Sequence, residues 1–314
     1  MTTLRHTAPT LLSLGLIALL PGAGCPAGPA HSPAGASGGT DEHGALAEWT
    51  PALRKVWDAR RATARWLRAY LAAGLLAARA AEQAQVPATE RDTAVKRLGP
   101  ERWRVYFGQN RSDGEAFRVT RQLLVSGTTS RWEPLAKPVP LGSPLLAQVR
   151  AVQTVEQYME SRRPGWRSRR QTQDHVLYNP FVRRVAGGAI QVWLIPFSSD
   201  PQVVVLGGDY RVRVSPDGRK VLAFRSLHRG LVRIRRPAAR PPRPVVLNHV
   251  HRGAEGDLPR ASDLLKIATS PHLSGLAVIG PRYTVLTGMV AGPRGWLGRL
   301  YYSQRFRRLI DPGR

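Results

Sequence analysis

From His175 onward the chain is cut into short apolar runs, and this limits its fold more than any other feature of the sequence. HVLYNPF, AIQVWLIPF, QVVVLGG, DYRVRVS, RKVLAFRS, LVRIR, PVVLNHV, LLKIA, YTVLTGM and GRLYYS follow one another as short runs separated by Gly, Pro or Asp. Runs of this length, rich in Val, Ile, Leu and aromatics, read as strands. SPDG at 215–218 is the clearest turn and joins DYRVRV to RKVLAF as a hairpin. The motif also occurs in propeller blades, but it occurs here without the regular repeat such a fold requires.

The region before the strands has helical period instead. Thr50 suits a cap and Pro51 a first helical position. Leu53, Val56, Trp57, Ala64, Leu67, Leu71, Leu75 and Ala78 then recur at three- and four-residue steps, with Arg54, Arg61, Arg65 and Arg68 off the stripe. Such a helix either lies on a membrane surface or packs on its own domain, and the second reading is preferred. A shorter helix is expected from Thr89 to Leu98, closed by Gly99-Pro100. WRVYF and AFRVTRQLLV around NRSDG predict a hairpin, and the prolines between Glu133 and Pro144 predict a linker. A further helix opens at Ser143-Pro144, carries Leu145, Leu146, Val149, Val152, Val155 and Met159, and ends near Arg163-Pro164-Gly165. The expected class is α+β, with N-terminal helices followed by a mostly antiparallel β-sheet domain.

The first residues look like an address rather than a fold. MTTLRHTAPT carries Arg5 and no acid, LLSLGLIALL at 11–20 is apolar apart from Ser13, and PGAG leads to Cys25. A basic start, a short apolar core and small residues at the cut compose a secretory signal. The apolar run is about half the ~20 residues that a membrane-spanning helix needs. Gly22-Ala23-Gly24-Cys25 resembles the lipobox of bacterial lipoproteins, although Gly22 stands where leucine is common and Leu20 lies two positions too early. The resemblance implies a diacylglycerol on Cys25 and cleavage before it. Pro26 is not the aspartate that commonly retains lipoproteins in the inner membrane, which implies the outer membrane or its periplasmic face. The expected organisation is a signal peptide over 1–24 and a lipidated, flexible Pro/Ala/Gly/Ser tether over 25–44. A helical region with a β-hairpin follows over 45–142, and a helix with an antiparallel sheet over 143–314.

Cys25 is the only cysteine, so the chain forms no internal disulfide, and the acylation expected on Cys25 would exclude a catalytic thiol and thiolate metal sites. The charge is extreme, with 47 basic against 21 acidic residues and a formal net charge of +26. Such a balance ordinarily points to nucleic acid, but export places the chain away from the chromosome. Anionic lipid, lipopolysaccharide, a cell-wall polymer or an envelope protein is the expected partner. Abundant Arg, Ala, Gly and Pro also fit a GC-rich genome, which explains the preference for Arg over Lys but not the excess over acids.

The densest charge lies between Arg211 and Arg243, where eleven basic residues face the single acid Asp217. In DYRVRVS, alternation sends Tyr210, Val212 and Val214 one way and Arg211 and Arg213 the other; in LVRIR, Val232 and Ile234 oppose Arg233 and Arg235. If those strands are neighbours, Arg211, Arg213, Arg233 and Arg235 form one anion-binding face; a plainly solvated face is the alternative. His249 and His251 lie two apart, on one side of a strand. With His228 or His272 and the carboxylate of Asp257 or Asp263, they would bind zinc or copper. Surface or core histidines are the competing account. The aromatic and basic tail WLGRLYYSQRFRRL fits an edge strand with a charged end.

No HExxH, GxSxG, SxxK, P-loop or GxGxxG occurs, so no catalytic residue is assigned. The helix followed by GGDYRVRVSPDGRKVL, over residues 145–230, resembles small periplasmic PepSY-type modules and is similar to exported bacterial proteins without an assigned activity. No chemistry transfers with that likeness. The sequence favours a non-enzymatic cell-envelope lipoprotein that needs no cofactor and binds an anionic component or a protein partner through a basic sheet face. A metal-binding protein or metal-assisted hydrolase using His249 and His251 is the alternative, and a scaffold within a larger envelope assembly stays open.

Overall fold

The computed structural model of the chain describes residues 49–110, 116–162, 176–200, 202–228, 230–235, 243–248, 258–270, 273–280, 282–289 and 296–302. Helix α1 (Pro51–Gln83) begins where expected, and the Leu53 amide donates to Thr50 Oγ1 at 3.3 Å. The chain then forms β1 (Asp92–Arg97), β2 (Arg102–Asn110), β3 (Phe117–Ser126), β4 (Thr129–Glu133) and β5 (Val139–Pro140). Helix α2 (Ser143–Arg162) follows, and after it β6 (Val176–Arg184), β7 (Ile190–Ser198), β8 (Val203–Gly207), β9 (Tyr210–Val214), β10 (Val221–Ser226), β11 (Leu231–Arg235) and β12 (Arg243–Asn248). Helix α3 (Ala261–Thr269) precedes β13 (Leu273–Ile279), β14 (Tyr283–Met289) and β15 (Trp296–Tyr302). The fold is α+β: the β1–β5, β10-β9-β7-β6 and β13-β14-β15 ladders are antiparallel, and β12 pairs with β13 in parallel, with α3 between them in the chain.

Two stretches differ from their sequence patterns. Residues 89–98 make a 3-10 turn and then β1 rather than a helix. A ten-residue helix has little stability of its own, whereas Thr93 and Val95 suit a strand that pairs with β2 from Asp92↔Gly108 to Arg97↔Trp103. Gly99-Pro100 accordingly closes a hairpin, with the Leu98 and Gly99 amides donating to the Arg102 carbonyl. LLKIA lies within helix α3 rather than a strand. Its apolar positions 264, 265, 267 and 268 have helical spacing, and Asp263 Oδ2 accepts the Arg260 amide at 2.7 Å to cap the first turn. The NRSDG hairpin and the SPDG hairpin form as expected, as β2–β3 and β9–β10. Among the described residues no helix is long and apolar enough to cross a membrane.

The chain divides into two compact units. The first comprises the described residues of Leu67–Asp200 and Gly207–Val232. Its sheets run β1-β2-β3-β4, with β5 on β3, and β10-β9-β7-β6. Helix α2 serves both: Leu145, Leu146 and Val149 meet Ala94, Phe117, Val119 and Leu141, while Ala147, Ala151, Val152, Val155 and Met159 meet Val182, Ile190, Val192, Val212 and Val214. The SPDG turn seats on the same helix. Thr154 Oγ1 donates to the Gly218 carbonyl at 2.7 Å. Gly218 has φ +82°, and a Cβ there would lie 2.1 Å from the Ala147 carbonyl oxygen and 2.9 Å from the Ala151 amide nitrogen. Gly218→Ala is expected to cost about 2 kcal/mol or more, since left-handed strain alone costs roughly 1–3 kcal/mol. Denaturant midpoints measure this.

The second unit comprises the described residues of Leu19–Trp66, Pro201–Leu206 and Arg233–Arg314. Its core joins Leu53, Trp57 and Ala64 of α1 to Val204 and Leu206 of β8, Leu264 and Ile267 of α3, and Leu276, Val278 and Val285 of the β12-β13-β14-β15 sheet. The apolar stripe of this part of α1 is therefore buried in protein, as the packed-helix reading requires.

In the first unit, burial pushes the Asp92 carboxyl from 3.8 up to about 6, against the opposing pull of the Asn110 amide that donates to it. The folded chain keeps this proton where the unfolded chain has lost it, so stability falls as pH rises from 3.8 through about 6. Asp92→Asn is expected to flatten that decline and raise the melting temperature at neutral pH, which thermal unfolding across the window measures.

Candidate functional site

Two polar features stand out, both in the first unit. The first is a face of the β10-β9-β7-β6 sheet. Ile190, Val192, Tyr210, Val212 and Val214 point towards α2, so their alternates point away. The register sets Phe181, Trp193, Arg211 and Arg225 across the sheet in one row, and Arg183, Gln191, Arg213 and Ala223 in the next. The four strands hold five arginines and no acid. Arg184 lies on the α2 side, where its guanidinium donates to the Pro144, Gly188 and Pro216 carbonyls. The other four share the outer face.

This face grades from buried to open. Phe181, Trp193 and Ile195 are buried, and the Tyr70 ring lies 5.5 Å from Phe181. The Arg183 guanidinium stacks over Trp193 at 4.8 Å and is half-buried, as is Arg211, while Arg213 and Arg225 are exposed. Burial lowers the Arg183 pKa, and the charge of Arg211 lowers it further. These guanidinium groups stand beside two more on the same face, and guanidinium holds phosphate or carboxylate in a bidentate fork.

The second feature is a buried carboxylate and imidazole. Gly207 and Gly208, at φ +74° and +71°, bend the chain between β8 and β9. A Cβ on Gly207 would lie 2.3 Å from the Gly230 carbonyl oxygen, so only glycine allows this approach. The Leu227 amide donates to the Asp209 carbonyl at 2.8 Å, and Ser226 Oγ donates to the His228 carbonyl at 2.6 Å. These contacts bring His228 Nδ1 to 3.0 Å from Asp209 Oδ2. Asp209 is 1% exposed and His228 8%. Asp209 Oδ1 has no hydrogen-bond partner among the described residues. An imidazole held by a carboxylate in this way can act as a proton acceptor, an ion pair or part of a ligand set.

Arg233 and Arg235 lie on β11, which pairs with β8 and not with β9, so they do not join the ladder that carries Arg211 and Arg213. Arg183 and Arg225 occupy that face instead. Asp263 is buried at the start of α3, in the second unit. Cys25, His249, His251, His272 and Asp257 lie outside the described residues. Asp209 had no sequence motif to mark it. Counting outward from the SPDG turn would have placed it near His228, but only with the correct register. Searches against protein-family models, curated proteins and solved structures find no match to this chain.

Removing one partner of a buried polar contact typically costs about 1–3 kcal/mol, because the surviving group stays desolvated without its partner. His228→Ala is therefore expected to lower stability by about that amount, and His228→Ala with Asp209→Ala to cost less than the sum of the single changes. A double-mutant cycle in denaturant unfolding measures the coupling.

Proposed function

We propose that this chain is an exported, lipid-anchored cell-envelope protein that binds an anionic envelope component through the outer face of the β10-β9-β7-β6 sheet. The observation that supports the binding reading is the collection of Arg183, Arg211, Arg213 and Arg225 on one face of strands that carry no acid. A guanidinium donates two hydrogen bonds to phosphate in a fork, and a stacked, half-buried Arg183 loses less freedom on binding than a solvated side chain. Anionic headgroups fit this chemistry, either phospholipid or the phosphate-bearing part of lipopolysaccharide. The address rests on Arg5, the apolar run at 11–20 and the lipobox-like Gly22-Ala23-Gly24-Cys25. A binding role rather than a catalytic one fits a sequence in which no hydrolase or phosphate-loop motif occurs.

Vesicle binding tests the reading, with Cys25→Ala protein so that an acyl chain contributes nothing. The protein is expected to bind anionic vesicles over zwitterionic ones, and more weakly as salt is raised. Arginine near an anionic surface contributes about 1 kcal/mol. Changing Arg183, Arg211, Arg213 and Arg225 together to Gln should therefore weaken binding by several hundred-fold, since about 1.4 kcal/mol is tenfold. Equal binding by this variant and its parent would remove the sheet face from the proposal. Mass analysis of the mature N-terminus tests the address separately, a diacylglyceryl Cys25 being the expected product.

A further inference from the structure

We propose that Asp209 and His228 are two ligands of a divalent transition-metal site, with Zn2+ the ion that fits best. This goes beyond the anion-binding face and is independent of it. An imidazole nitrogen and a carboxylate oxygen suit Zn2+ well. Mg2+ and Ca2+ take oxygen ligands in larger sets, and Cu+ takes thiolate or thioether.

The spacing fits too. Bonds of about 2.0–2.1 Å at tetrahedral angles place neighbouring ligand atoms about 3.3 Å apart, and His228 Nδ1 lies 3.0 Å from Asp209 Oδ2. A displacement of a few tenths of an ångström would seat a cation between them. The burial carries the argument further. A carboxylate that is 1% exposed, with Oδ1 lacking a hydrogen bond among the described residues, bears a desolvation cost that a cation would offset.

The backbone supports the pair as a built site. Two successive left-handed glycines, the 2.3 Å limit at Gly207 and the Leu227 amide bond hold the Asp209 and His228 segments together before any ion arrives. Asp209 and His228 supply two of the four positions that a tetrahedral Zn2+ takes.

Zn2+ binding to the full chain tests this. The chain is purified without chelator for elemental analysis, then stripped and titrated with Zn2+ against a chromophoric chelator. The expected result is one Zn2+ per chain. Asp209→Asn and His228→Ala should each weaken binding more than tenfold, while His249→Ala with His251→Ala leaves it unchanged. Far-UV circular dichroism checks that each variant is folded. Should His228→Ala fail to fold, Co2+ in the parent chain and in the near-isosteric Asp209→Asn decides the matter, since losing a carboxylate ligand shifts the visible Co2+ bands. Absence of Zn2+ binding by the parent overturns the proposal, as does binding or a Co2+ spectrum that Asp209→Asn does not change.

Discussion

A single unpaired residue in β10 sets which way the later side chains of that strand face. Val221 pairs with Val214, but Ala223 rather than Leu222 pairs with Arg213, so Leu222 is left as a bulge and half its surface faces solvent. Side chains alternate with a period of two, so one extra residue turns every later side chain over. Beyond the bulge, Phe224 packs with Val212 and Tyr210 towards α2, and Arg225 stands beside Arg211 on the outer face. Without it, Phe224 would fall opposite Arg211, and Arg225 would point into the apolar layer. The same step brings Leu227 level with Asp209 and His228 within reach of its carboxylate.

The helix side of the sheet explains why that arrangement persists. Helix α2 covers Val182, Ile190, Val192, Val212 and Val214, and placing an arginine among them would cost the desolvation of a charge. The turn that starts β10 is anchored to the same helix through Gly218 and Thr154, so the hairpin cannot slide along the helix to change register. Asp217 adds local order: hydrogen bonds from Ser215 Oγ and the Arg219 amide hold its carboxyl below the usual range. The apolar layer and the turn thus fix the arginine face from behind. The place of Arg225 on the arginine face and the approach of His228 to Asp209 both follow from the register of β10.

Much of the fold is legible from sequence because it depends on local periodicity. Thr50 and Pro51 mark the start of α1, Ser143-Pro144 marks the start of α2, and SPDG marks its hairpin, each through a cap or turn whose chemistry acts over four residues. The misread stretches are those in which short range is ambiguous. TERDTAVKRL has a helix-like length and a Gly-Pro stop, yet β2 offers it a six-residue ladder. LLKIA is too short to separate strand from helix until Asp263 is seen capping Arg260. LSGLAVI, which forms β13, lacks the flanking contrast that marked its neighbours, because β13 is buried along most of its length.

The sequence by itself determined the α+β class, the alternation that separates Val212 and Val214 from Arg211 and Arg213, and the basic excess, because each follows from residue type and spacing along the chain. Tertiary structure alone decided which arginines share a face. It replaced Arg233 and Arg235 by Arg183 and Arg225, since strand order and a one-residue bulge are settled by packing between distant segments. It likewise chose Asp209 as the partner of His228, through two left-handed glycines and a backbone approach that local spacing does not encode.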